Sequence, residues 1–163
     1  MEIRKGFKEK IIQLLQKQAT DNIQAAIDEW RPEAIEILKE ELNDHMDRGV
    51  SPVEGGGGGT SGSPRYEKYS PSYQKQIKDG VHGSKKVRPV NLKLTGKMRN
   101  SLRFDKLQYG IRIKYTDEKF EIHNFLGAGK SHVIRPILPL GNQRFTRKIE
   151  QRLFKAFKNA FKK

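Results

Sequence analysis

Apolar residues at Ile3, Phe7, Ile11, Leu14, Leu15, Ile23, Ala26, Ile27 and Trp30 recur at the three- and four-residue intervals of one helix face. Ala34, Ile35, Leu38, Leu42 and Met46 carry that spacing past Pro32. Pro32 either opens a second helix at its first position or kinks a single long one. Gly49 is placed to end the run as a C-terminal cap. The pattern therefore predicts one kinked helix or a helix pair over residues 2–48. Periodicity then stops. The run GGGGGTSGS (55–63) has no side chains to pack and behaves as flexible coil, and Tyr66, Tyr69 and Tyr73 follow it, interleaved with Arg65, Lys68 and Lys75. Residues 49–93 read as a Gly-rich extended arm. An arm of that length is long for a loop inside a compact domain, and wrapping a neighbouring subunit would supply the burial it lacks.

From residue 97 the period shortens to two. Leu102 and Phe104, then Ile111, Ile113 and Tyr115, alternate with polar residues, and Phe120 with Ile122 resumes the alternation after Asp117–Glu118. These positions predict three antiparallel strands near 98–106, 108–116 and 119–125. A Gly-rich loop (127–132) and the proline-punctuated VIRPILPLG (133–141) follow. Residues 143–162 then return to helical spacing, with Phe145, Ile149, Leu153, Phe154, Ala156, Phe157, Ala160 and Phe161 on one side and cations on the other. The expected architecture is α+β: a helical segment (1–48), an arm (49–93), and a small antiparallel sheet with a C-terminal amphipathic helix packed on it (94–163). Together with the N-terminal helix these make one domain.

Composition narrows the function classes. The 163 residues contain no cysteine, which excludes a disulfide framework, a zinc ribbon and a thiol nucleophile. No apolar run reaches the roughly 20 residues of a membrane span, and the first ten residues lack a signal peptide's apolar stretch. A membrane partner is not expected. Charge is divided along the chain: residues 1–54 carry 8 basic and 12 acidic side chains, while residues 55–163 carry 25 and 7. Net charges of −4 and +18 suit head-to-tail packing of copies, or docking on an acidic surface or nucleic acid. They equally suit contact between the two parts of one chain.

Candidate chemistry is thin. The string GAGKS (127–131) resembles a phosphate-binding loop, yet Asn124 stands where the first glycine belongs and Pro136 prevents a long helix after it. A turn with an exposed Lys130 is the better reading. His123 and His132 flank that loop without the further ligands a metal needs. No paired carboxylates or Ser–His–Asp arrangement can be argued, so neither a catalytic residue nor a cofactor is expected, and the chain does not read as an enzyme. Lys85, Lys86, Arg88 and Lys93, with Lys97, Arg99 and Arg103 beyond them, form a dense basic run that faces either a subunit or DNA. A basic nucleic-acid-binding accessory protein is the second reading. The phenylalanines and lysines of the last helix would also fit a membrane surface, although packing within the domain explains the same pattern.

Three strings in order carry a resemblance: SPVEG (51–55), PVNLKLTGKMRNSL (89–102) and HNFLGAGKSHVIRPILPLG (123–141). The chain resembles the tail-completion, or neck, family of tailed-bacteriophage virion morphogenesis proteins. The matching positions are Pro89, Val90, Leu94, Thr95, Gly96, Met98, Ser101, Leu102, Arg135 and Pro136. The resemblance implies a structural virion protein, assembled in the bacterial cytoplasm, that forms a homo-oligomeric ring, a hexamer. The ring would join the portal or adaptor to the tail tube or terminator and let genomic DNA pass through its lumen. The roles of these residues would be scaffold roles: Thr95–Gly96 a tight turn, Met98 and Leu102 core, Pro136 and Pro139 an extended lead-in to the helix.

Overall fold

The computed structural model describes residues 5–56, 65–82, 85–90, 92, 96–129 and 132–162. It is α+β. Helix α1 (Lys5–Arg48) runs without interruption through Pro32 for 44 residues, roughly 65 Å at 1.5 Å per residue. Proline gives up one backbone bond, and the flanking turns hold the helix together because residues on both sides of Pro32 are packed: Ala26, Ile27, Ala34, Leu38, Leu42 and Met46 are all buried.

Helices α2 (Pro71–Lys78) and α3 (Lys97–Asn100) follow. Strands β1 (Leu102–Leu107) and β2 (Gly110–Tyr115) form an antiparallel hairpin whose register places Leu102 opposite Tyr115 and Phe104 opposite Ile113. Among the described residues two strands form this sheet rather than three. The stretch expected as a third is α4 (Glu118–Glu121) running into a π-helical turn (Ile122–Leu126). Asp117 decides this: its carboxylate accepts the Lys119 N–H at 2.9 Å and caps the first turn. Residues 98–100, expected to open the first strand, are likewise helical, within α3.

The last helix, α5 (Arg147–Phe161), lies along α1. Ile149, Ala156 and Ala160 bury against it, Trp30 Nε1 donates to the Leu153 carbonyl at 3.1 Å, and the Trp30 and Phe157 rings meet edge to face at 5.9 Å. Phe154 and Phe161, expected on the packed side, are exposed. The division of charge closes in part within the chain. Arg152 pairs with Glu40 and Glu41 at 2.6 and 2.5 Å, Lys148 with Glu41 at 3.0 Å, Arg99 with Asp47 at 2.8 Å, and Lys106 with Asp28 at 3.1 Å.

The described part of residues 49–93, expected as an extended arm, packs on its own chain. It supplies Tyr66, Tyr69, Ile77, Val90 and Leu92 to the same core as Leu42, Met46, Met98, Tyr115, Phe120 and Ile137. Each large apolar side chain taken fully from water contributes about 1.5–3 kcal/mol, so this segment is part of the fold's own stability. One part of α1 stays bare. Ile12, Leu14, Leu15 and Ile23 are exposed, and no described side chain from residue 12 to residue 23 is buried.

Candidate functional site

The segment around α2 roofs a cavity of about 1000 Å³. Ser70 caps α2 by accepting the Tyr73 N–H at 3.4 Å, and Pro71 sits in its first turn, where a missing N–H costs nothing. Ile77 anchors the helix in the core, which turns Tyr73 toward the cavity beside Tyr69. The two rings meet edge to face at 5.1 Å. Lys85 comes in under them, with Nζ 4.7 Å from the Tyr69 centroid and 5.1 Å from that of Tyr73, and it donates to the Tyr73 hydroxyl at 3.2 Å.

Arg135 and His123 join them. The Arg135 backbone N–H donates to the His123 carbonyl at 2.7 Å, which ties the segment before α5 to the π-helical turn. The Arg135 guanidinium lies 5.3 Å from the Tyr69 centroid and donates through Nη2 to the Glu67 carbonyl at 3.2 Å. Its Nε is buried without a hydrogen-bond partner, as is His123 Nδ1. Burial and neighbouring cations shift Lys85 and His123. Burial, reinforced by Arg135 and Lys119, pushes the Lys85 ammonium down to about 8. Burial, with Arg135, Lys85 and Lys119 adding to it, pushes His123 down to about 4. Burial also lowers Arg135 and raises Tyr69 to about 12. At neutral pH the cavity therefore holds cations, neutral phenols and a neutral imidazole. No nucleophile–base pair is formed by these groups; what they can do is hold a ligand of opposite charge.

The basic run expected to act as one surface is divided. Lys85 is drawn into the cavity, Lys86 and Arg88 are exposed, and Lys93 lies outside the described residues. The motif positions converge instead on the packing around the cavity. Met98 lines it, Val90 is in the core, and Leu102 opens β1 half-buried. Pro89 is exposed beside Gly49, where an added Cβ would lie 2.8 Å from that of Pro89. Gly96 adopts φ +76° at the start of α3, and Leu94, Thr95, Lys130 and Ser131 lie outside the described residues. Buried Ser101 donates to the Met98 carbonyl at 2.7 Å and accepts from the Asp117 N–H at 3.2 Å. The Pro136 carbonyl accepts from Ser51 Oγ at 2.9 Å and from Tyr66 Oη at 3.0 Å, so strings 85 residues apart in sequence meet at one atom.

Asn124, which stands where a phosphate-binding loop has its first glycine, has a structural role. It is buried, and its side-chain oxygen accepts from the Ile137 and Leu138 N–H groups at 2.6 and 2.9 Å. His132 is exposed while His123 faces the cavity. Glu41, Asp44 and His45 bring three possible ligand atoms within 4.8 Å of one another, but Arg152 and Lys148 already neutralise the Glu41 carboxylate. Sequence reasoning missed the cavity and the roles in it of Lys119 and His123. The one signal was the Tyr69–Tyr73 spacing with Lys85 nearby. Among the described residues no helix is long and apolar enough to cross a membrane. Compared with family models, with curated proteins and with solved structures, the chain matches none.

Proposed function

We propose that the protein is a structural component of a phage virion, of the neck or tail-completion type. Its copies close into a ring, a hexamer, between the portal or adaptor and the tail tube, around a lumen through which DNA passes. The observation that carries this reading is the bare stretch of α1. Ile12, Leu14, Leu15 and Ile23 lie on a stretch of helix that the described residues leave uncovered, and exposed apolar side chains clustered on one element mark an interaction surface. Head-to-tail contacts of such a surface with a second patch on the next copy close a ring when the rotation allows. Exposed Phe125, Leu126, Phe154 and Phe161 offer apolar surface for that second patch. The order of the SPVEG, PVNLKLTGKMRNSL and HNFLGAGKSHVIRPILPLG strings supports the same reading, and the bond from Ser51 to the Pro136 carbonyl gives the first and third a shared scaffold contact.

The test is electron microscopy of a lysate from the encoding phage with this gene deleted. Filled heads beside detached tails, restored to joined particles by the gene supplied in trans, are expected. Normal infectious particles would overturn the proposal.

A further inference from the structure

The cavity around Tyr69 and Tyr73 has more positive charge in its walls than the chain neutralises. Arg135, Lys85, Lys119 and Lys68 line it, and Glu67 is the one side-chain carboxylate among the described lining residues. Arg135 is 3% exposed, yet it meets only a carbonyl oxygen and the face of a ring, and its Nε–H is aimed at no acceptor. Lys85 meets one hydroxyl and two ring faces. Cations taken out of water are costly unless an anion and matching acceptors meet them; among the described residues Glu67, itself exposed, is the one lining carboxylate whose charge acts on Arg135, and no ion pair is formed with either cation. The surrounding walls at Leu92, Met98, Ile122 and Val133 are apolar.

We propose that this cavity binds an oxyanion, a carboxylate or phosphate group carried on an apolar body, with Arg135 and Lys85 as its cationic ligands. The guanidinium presents planar donors that match two oxygens of such a group, and the lysine adds a point charge. Neutral His123 offers a further polar atom, its buried Nδ1. The apolar walls and the tyrosine faces receive the body of the ligand. A volume of about 1000 Å³ lies at the upper end of small-molecule sites. The inference concerns a single subunit and stands apart from the neck reading, so either can fail without the other.

Calorimetric titration of the whole protein with phenyl phosphate and with phenylacetate tests it, with benzyl alcohol as the neutral control. At least one anion is expected to bind saturably with Kd below about 10 mM, and the control not to bind in that range. Binding by phenyl phosphate alone assigns the phosphate as the ligand group, and binding by phenylacetate alone assigns the carboxylate. Because Arg135→Met removes a buried hydrogen bond and endangers folding, Lys85→Met is the informative variant, and Lys86→Met, one residue along and exposed, is its control. Lys85→Met should weaken the anion about tenfold and Lys86→Met should leave it unchanged. The imidazole gives a second readout by NMR: an anion set among Arg135, Lys85 and Lys119 offsets the cations that depress His123, so its titration should move upward from about 4. Absence of saturable binding by both anions would overturn the proposal. So would benzyl alcohol binding as tightly, or Lys86→Met weakening the anion as much as Lys85→Met.

Discussion

Arg31, in the middle of α1, donates through Nη2 to the Gln108 carbonyl in the turn between β1 and β2, 2.9 Å away. The same guanidinium reaches the Gly110 carbonyl at 3.1 Å and the Leu107 carbonyl, and Asp28 one turn earlier holds it from behind. One side chain thus fastens the hairpin turn to the long helix. It is 5% exposed, so these bonds form largely out of water. Arg31→Ala should lower stability by about 2–4 kcal/mol, the range for losing several charge-assisted hydrogen bonds that leave carbonyls unmet. Arg31→Lys should recover little, because an ammonium cannot span the carbonyls as the planar fork does. Urea denaturation measures both. A loss under about 0.5 kcal/mol for Arg31→Ala would show that the hairpin holds its place without this clamp.

The α1–α5 contact carries a pH dependence centred on Glu41. Burial alone would raise this carboxyl, but hydrogen bonds from Arg152 and Lys148, with their charges, outweigh it and hold the group below its ordinary value of 4.5. A carboxylate depressed on folding stabilises the protein fully above its unfolded pKa. That contribution is lost as pH falls through the lower folded value. Glu41→Gln should therefore lower stability at pH 7 by about 1.5–3 kcal/mol, since its former partners reach solvent and are not left buried. The gap between the two proteins should narrow steadily below pH 4.5. A gap that stays constant down to acid unfolding would exclude Glu41 from this role.

The parts legible in the sequence are those in which neighbours in the chain decide the outcome. The stripe from Ala26 to Met46 and the Ile111–Ile113–Tyr115 alternation each fold as their periods require, because burial lies on one face of a regular element. Phe120 and Ile122 misled because two apolar residues at spacing two suit a strand or a short helical turn equally. The Asp117 cap, a local bond, tips the balance toward the turn. Phe154 misled because a helix packed along a single partner buries a narrower stripe than its composition offers. Ser70–Pro71 was a readable helix start masked by the glycine run before it. The cavity was beyond reach: Glu67, Lys85, Lys119, His123 and Arg135 come from four separate segments, and only tertiary closure brings them together.

Two glycines in the loop after the π-helical turn separate backbone strain from simple exposure. Gly127 has φ +82°, and a Cβ there would lie 2.2 Å from the His132 carbonyl oxygen. Gly129 has φ +72° with nothing within 4 Å. Gly129→Ala should cost about 1 kcal/mol, the conformational penalty by itself. Gly127→Ala has to displace the Ala128–Val133 bridge as well, and should cost about 3 kcal/mol or more. Thermal unfolding of the two variants checks the ranking, and equal losses would mean that the loop relaxes freely.

The bare stretch of α1 gives the assembly reading its sharpest consequence. Leu14 and Leu15 are 66% and 60% exposed, and neither belongs to the core. Glutamate at both positions removes apolar surface that the subunit does not use to fold, so the stability of the isolated protein should change by less than about 0.5 kcal/mol for each substitution. In a ring that buries this face, the same pair places two charges in an apolar contact, where unpaired burial is strongly unfavourable. The double variant Leu14→Glu/Leu15→Glu should fold normally and yet fail to restore joined particles when it complements the deleted gene. Circular dichroism and urea denaturation establish the first half, and plaque counts with microscopy the second. A variant that folds and complements at wild-type level would remove this helix face from the assembly interface, and with it the observation on which the ring reading rests.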